Sequence, residues 1–183
     1  MPPARAGANA RLVVPMHIAD LDAMGAVLMP ANVRSVILEI GCSNRNTMDE
    51  EELDFYPRSF LISFEPLLDK YALLLSKAQR RYYPNGETDQ AVPLAHHAPR
   101  AVALPLAVSP KGGMITFNVS KVSGCSSMLP LNILSWWGGK ACMNVIETRQ
   151  VPSVTLSEVL KLAGPVLPIK RLKIDAQVPE LRF

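Results

Sequence analysis

Two stretches of this chain, Val36 to Ile40 and Phe60 to Phe64, are close to continuously apolar and show no alternation. That is the pattern of short strands buried on both faces. Between and around them the apolar residues fall three or four apart. Ile18, Leu21, Met24 and Leu28 predict an amphipathic helix over 16–28, ended by Pro30. Thr47-Met48-Asp49-Glu50 is a capping box, and the acids from Asp49 to Glu52 suit the first turn of the helix it opens better than a metal site. Pro66 suits a first helical position ahead of the stripe Leu67, Leu68, Tyr71, Leu74, Leu75 and Ala78, with Lys77, Arg80 and Arg81 at the far end.

The second half continues the alternation. Val102 to Val108 predicts a third strand, and Pro105 inside it marks an edge or a bulge. Ser109 to Gly113 turns the chain into a hairpin strand from Met114 to Val119, and Ser120 to Met128 reads as a flexible serine-rich loop. Thr155-Leu156-Ser157-Glu158 caps another helix that ends at Gly164, and Ile169 to Ile174 runs as the last apolar strand into Asp175. Strands alternating with helices, without an internal repeat, predict an α/β fold.

The chemistry sits where the apolar runs stop. The first closes on Glu39-Ile40-Gly41, and the second on Glu65-Pro66. Glycine lets a ligand approach the backbone closely, and Glu65, about 24 positions after Gly41, stands where a carboxylate accepts hydrogen bonds from ribose hydroxyls. The full G-x-G-x-x-G pattern is missing, because Ser43 and Asn46 replace its later glycines. Without them a pyrophosphate lacks its cradle, which argues against NAD or FAD and for an adenosine ligand without phosphate, such as S-adenosyl-L-methionine. The plainer alternative is a buried strand ending in a turn, with Glu65 capping the next helix.

Composition narrows the rest. The 183 residues suffice for one domain, and a net charge of +3 with no basic run or basic–aromatic alternation excludes a nucleic-acid partner. No apolar segment is long enough for a membrane span. Cys42, Cys125 and Cys142 are widely spaced and odd in number, which predicts no disulfide framework and favours a reducing compartment, cytoplasmic by default. The acid-free first 19 residues, with Arg5 and Arg11, fit an organelle-targeting remnant or a disordered tail, and the tail is preferred. Asn118-Val119-Ser120 matches a glycosylation sequon that has meaning only in a secreted chain. His96-His97, adjacent and on a loop, lack the spacing of a zinc pair, and no metal is expected. Trp136-Trp137 beside two glycines could cover an acceptor pocket, but ordinary packing is the commoner use of such a pair.

Taken in order, Leu38-Glu39-Ile40-Gly41, Phe64-Glu65-Pro66, Leu106-Ala107-Val108-Ser109 with its glycine turn, Val151 to Leu156, and Leu172-Lys173-Ile174-Asp175 resemble the FkbM family of S-adenosylmethionine-dependent methyltransferases from about Val33 to Gln177. The resemblance implies a Rossmann-like methyltransferase sheet with flanking helices, residues 31–183 forming that domain behind an N-terminal tail and helix over 1–30. It implies S-adenosyl-L-methionine as cofactor and a small-molecule or sugar hydroxyl as methyl acceptor. By position, Glu39, Gly41, Ser43 and Asn44 would line the methionine and ribose part of the cofactor, Glu65 the ribose hydroxyls, and Ala107 the adenine. Asp175 would act near the transferred methyl as the base, with His96 or His97 as distant alternatives. Arg45 stands where many members have a further glycine. After Gln177 the family pattern expects a glycine and more strands, whereas Val178 to Phe183 follow here. The expectation is therefore a sheet lacking its C-terminal strands, with an exposed edge that a protein partner covers. The competing expectation is a truncated, catalytically inactive methyltransferase-like binding module.

Overall fold

Why the two apolar runs are uninterrupted becomes plain in the computed structural model, which describes residues 19–42, 53, 55–76, 80–82, 88–90, 100–129, 142 and 144–175. They form the centre of a four-stranded sheet in which every neighbouring pair is parallel. Its strands are β1 (Ser35–Ile40), β2 (Ser59–Phe64), β5 (Ala101–Leu104) and β9 (Ile169–Ile174), in the order β5-β2-β1-β9. Between β2 and β5 lies a short antiparallel pair, β3 (Arg80–Tyr82) and β4 (Thr88–Gln90). The protein is thus α/β, with a parallel central sheet and a helix on each face.

The two faces are separate cores because side chains alternate across a strand. On one face Val36, Leu38 and Ile40 of β1 pack with Phe60, Ile62 and Phe64 of β2, under Val159 and Ala163 of α2 (Leu156–Ala163). On the other, Ile37 and Leu61 pack under Tyr71, Leu74 and Leu75 of α1 (Leu68–Ser76). Leu67 is buried at the start of α1, and its carbonyl accepts from Tyr71 N at 2.8 Å, so the helix begins at Leu68 and not at Pro66. Leu68, expected in the apolar stripe, faces water.

A second sheet stands beside the first. It is built from β6 (Ala107–Val108), β7 (Gly113–Ser120) and β8 (Val145–Val154), in the order β6-β8-β7. Phe117, Val119 and Val151 bury against Ala107 and Leu67, so this sheet packs over the start of α1. Arg149 of β8 grips both Glu147 carboxylate oxygens at 2.9 Å and reaches Asp69, in the first turn of α1, at 2.7 Å. The paired carboxylates raise the Arg149 pKa, and although burial opposes it, the Arg149 hydrogen bond keeps Asp69 below the ordinary aspartate range.

Several expectations are corrected. Residues 19–28 are not helical: Leu21 bridges Val27 antiparallel, and Leu28 N donates to Asp20 O at 2.8 Å. The Asp22 side chain explains this, since its Oδ1 accepts from Met24 N and Ala26 N and competes with the helical pattern, while Gly25 turns at φ 82°. The strand expected over 102–108 splits at Pro105, so β5 is an edge of the first sheet and β6 belongs to the second. β7 pairs not with its preceding neighbour but with β8, from Gly113↔Ser153 to Ser120↔Val145. The segment after β7 is not a free loop either: a 3-10 turn, η1 (Ser123–Cys125), brings Ser127 back to exchange both backbone hydrogen bonds with Asn118. The Asn118 side chain meanwhile donates to Leu129 O. That β7–β8 pairing also brings Cys125 and Cys142 together as a disulfide, with Cys42 a buried thiol, contrary to three unpaired cysteines. The chemical reason offered for a reducing compartment goes with it. The box at Thr47–Glu50, His96-His97 and Trp136-Trp137 lie outside the described residues. Among the described residues, no helix is long and apolar enough to cross a membrane.

Two measurements check this architecture. The Thr155 hydroxyl accepts from Glu158 N at 3.2 Å, and the Glu158 carboxylate accepts from Thr155 N at 2.6 Å, closing the start of α2. Thr155→Ala is expected to cost about 1 kcal/mol in urea unfolding, and a change near zero would show that the cap does not hold the helix. Non-reducing peptide mapping is expected to recover Cys125 and Cys142 in one linked species, with Cys42 alkylated only after unfolding. Alkylation of all three without reductant would contradict the pairing.

Candidate functional site

The order β5-β2-β1-β9 contains a reversal: from β1 the chain builds outward through β2 and β5, then returns to lay β9 on the other side of β1. The reversal falls between β1 and β9, and the carboxyl edge at such a reversal is where open parallel sheets take their ligands. Gly41 and Cys42 follow β1, Glu65 follows β2, and Asp175 follows β9. Asp175 N donates to Ile40 O at 2.8 Å, which brings the end of β9 level with that of β1.

The turn after β1 is shaped by one carbonyl. Phe64 O accepts from Gly41 N at 3.0 Å, from Cys42 N at 3.2 Å and from the Cys42 thiol at 3.5 Å. Wrapping two successive amides onto one oxygen drives Gly41 to φ 81°, where a side chain is strained, and tucks Cys42 into the core beneath α1.

Glu65 is buried, its amide donates to Leu104 O, and its Oε1 accepts from Leu67 N at 3.0 Å. The carboxylate therefore caps the start of α1, as in the plainer reading of the sequence. An ionised side chain at a helix start is also positioned to accept from a ligand's hydroxyls.

Glu39 lies within β1 and is 0% exposed. Ser63 of β2 and Lys173 of β9 flank it in one row across the sheet. Lys173 Nζ donates to Glu39 Oε1 at 2.8 Å, and Ser63 Oγ donates to Oε2 at 3.4 Å. The Lys173 side chain is 31% exposed, so water reaches part of it while the carboxylate it pairs with is wholly buried. Burial pulls its pKa down, but the charge and hydrogen bond of Glu39, joined by Asp175 and Cys42, outweigh that and hold it above the ordinary lysine range.

The structure thus brings Glu39, Gly41, Glu65 and Asp175 to one edge. Ala107 sits further out, buried between Leu67 and the second sheet, while Ser43 and Asn44 lie outside the described residues. Sequence reasoning missed Lys173 and Ser63. Their signal was faint: a lysine two residues before Asp175 and a serine inside an apolar run, neither meaningful until β1 was flanked by both strands. Among the described residues Glu39, Glu65 and Asp175 bring three carboxylates here and Lys173 an ammonium already paired with Glu39, a balance that suits a cationic ligand better than a phosphate. Among the described residues no group of three His, Cys, Asp or Glu could hold a metal ion. No family model, no curated protein and no solved structure matches the chain.

Removing Lys173 leaves a carboxylate buried without its cation. Lys173→Met is expected to lose about 3 kcal/mol at pH 7, the low end for breaking a buried pair because water reaches the ammonium. Adding Glu39→Gln is expected to recover part of that loss in urea unfolding. Because the folded pKa of Lys173 is raised, its contribution is complete below the ordinary value of 10.5 and is lost as pH rises through the folded value. The stability gap between the parent and Lys173→Met should therefore hold from pH 7 to pH 10 and narrow above that. A gap that stays unchanged as pH rises well past 10.5 would contradict the assignment.

Proposed function

We propose that this chain is an S-adenosyl-L-methionine-dependent methyltransferase of Rossmann-like, FkbM-type architecture that transfers a methyl group to a hydroxyl of a small molecule or sugar. The observation that carries the reading is the reversal of strand order at β1, with Gly41, Glu65 and Asp175 at the carboxyl edge it creates. The excess of carboxylates supports a cofactor that carries positive charge and no phosphate. A nicotinamide enzyme on the same sheet would need cations or a glycine cradle for its pyrophosphate.

In this reading Gly41 admits the cofactor to the backbone and Glu65 accepts from its ribose hydroxyls. The bound group supplies a methyl carbon on a sulfonium. The protein's task is then alignment, since placing the acceptor oxygen in line behind that carbon accounts for much of the rate. Asp175, exposed at the end of β9, takes the proton of the acceptor hydroxyl. Lys173 pairs with the buried Glu39, feels the charge of Asp175, and fixes the local charge.

The second reading is a non-catalytic module that binds the cofactor without turning it over. The outer edge of β9, which no strand pairs among the described residues, with Leu172 and Ile174 half exposed, favours it.

Calorimetric titration separates these readings from no binding at all. S-adenosylhomocysteine is expected to bind saturably, and Glu65→Ala to weaken it at least tenfold, about 1.4 kcal/mol, with folding checked by thermal melting. No binding by a folded chain would reject both readings. Against a panel of hydroxylated acceptors, Asp175→Asn is expected to lower turnover about 100-fold while leaving homocysteine-product affinity within about threefold. Unchanged turnover would remove Asp175 from catalysis, and binding without turnover on any acceptor favours the module.

A further inference from the structure

All four strands of the central sheet run parallel, so the chain enters each of them at one edge, opposite the edge that carries Glu65 and Asp175. An arginine stands immediately before three of the four: Arg34 before β1, Arg58 before β2 and Arg100 before β5. Arg34 and Arg58 are exposed and lie side by side, since Arg34 N donates to Arg58 O at 2.8 Å. Backbone carbonyls hold two of the guanidinium groups, Arg34 on Ala31 O and Val33 O and Arg100 on Leu53 O, which orients them without neutralising them. Among the described residues no ion pair involves any of the three arginines, and the connections at 29–34, 55–58 and 164–168 contain no acid. Like charges set beside each other across a strand pair repel, a cost that an anionic partner removes. The same edge carries the two most exposed large apolar side chains among the described residues, Phe55 at 77% and Val166 at 83%. Phe55 precedes the turn into β2 and meets the Tyr56 ring edge-on at 5.0 Å, while Val166 lies between Pro165 and Pro168 in the connection from α2 to β9.

We propose that this amino edge is a peripheral docking face for an anionic lipid bilayer. Phe55 and Val166 enter the headgroup and acyl boundary, and Arg34, Arg58 and Arg100 meet the acidic headgroups. Surface binding of this kind draws on buried apolar area and on attraction to anionic lipid together, and both sources stand on the one edge. Guanidinium forks suit the phosphates and carboxylates that such headgroups present. The two apolar side chains stand singly in separate connections, which suits entry into a fluid interface better than the continuous, close-packed centre of a protein interface. A second copy of the chain would bring Arg34 and Arg58 against the same cations and is repelled. The charge of the sheet also sets the orientation. An anionic surface attracts the arginines at the amino edge and repels Glu65 and Asp175 at the carboxyl edge, so the docked protein keeps its candidate site turned to water. This inference does not depend on methyl transfer.

The test sediments the full chain with vesicles of phosphatidylcholine alone and with vesicles in which about a third of the lipid is phosphatidylserine. Binding at least about tenfold tighter to the mixed vesicles, and weakened by added salt, is expected. Removing charge with Arg34→Gln and Arg58→Gln should weaken it about fivefold for each arginine. Phe55→Ser with Val166→Ser should weaken it about tenfold and leave its salt dependence unchanged. Arg34→Glu combined with Arg58→Glu should move the chain onto vesicles that carry a cationic lipid, a gain that misfolding cannot imitate. No binding to either vesicle, equal binding to both, or indifference to these substitutions would overturn the proposal and leave the edge to an acidic protein surface. Release by soluble inositol hexaphosphate, with no effect of the Phe55 and Val166 substitutions, would assign the arginines to a free anion. Self-association in analytical ultracentrifugation that Phe55→Ser abolishes would assign the edge to a second copy. Either result overturns the lipid proposal.

Discussion

A carboxylate held wholly out of water in the middle of a parallel sheet is the constraint around which the central sheet is organised. Burying an ion costs several kcal/mol even after relaxation, so Glu39 is tolerable only with a cation delivered to it in good geometry. Lys173 delivers that cation at 2.8 Å from the strand on the far side of β1, and Ser63 donates from the near side. Those contacts exist in one register only. If β9 slipped by one residue, Leu172 would stand beside Glu39, the ammonium would move to the α2 face, and the apolar rows would no longer meet. The pair therefore fixes which way β9 faces as well as where it begins and ends.

That register sets the carboxyl edge of the sheet. Because β9 is pinned beside β1, Asp175 lands level with Ile40 and next to the Gly41 turn. The same row fixes the Lys173 ammonium against Glu39, two residues before Asp175. The second sheet contributes from the other side: its core touches Leu67, two residues after Glu65, and Arg149 ties β8 to the first turn of α1 through Asp69. The start of α1 is thereby clamped between two sheets, which makes the Glu65 carboxylate a stationary acceptor. Rigid placement of that kind is what a positioning site needs.

Much of the central sheet was legible in the sequence, because uninterrupted apolar runs of strand length have few other uses. β1, β2 and β9, the helices at Leu68–Ser76 and Leu156–Ala163, and the acids at the strand ends all arise from local pattern. The illegible parts depend on partners distant in sequence. β8 carries six consecutive residues, Val145 to Gln150, that are mostly exposed, and Pro152 near its end, so its pairing with β7 left little trace in the hydrophobic pattern. The disulfide is a consequence of that unseen pairing, since the spacing of Cys125 and Cys142 carries no signature of its own. The false helix near the N-terminus had the right period but also Asp22 and Gly25, whose local hydrogen bonding and backbone freedom won over propensity. At the site, the acids were found by their positions at strand ends, whereas Lys173 was missed because its role is defined by the row it shares with Glu39.

The central claim is that the carboxyl edge at the reversal between β1 and β9 is where this protein takes its ligand. Amide hydrogen exchange with and without S-adenosylhomocysteine, read residue by residue, tests it most directly. The account predicts slower exchange in the bound state at Gly41, Cys42 and Asp175 and at the start of α1 behind Glu65, with β7 and the outer half of β8 unchanged. Unchanged exchange at Gly41 and Cys42 under saturating ligand, or protection confined to the second sheet, would contradict it.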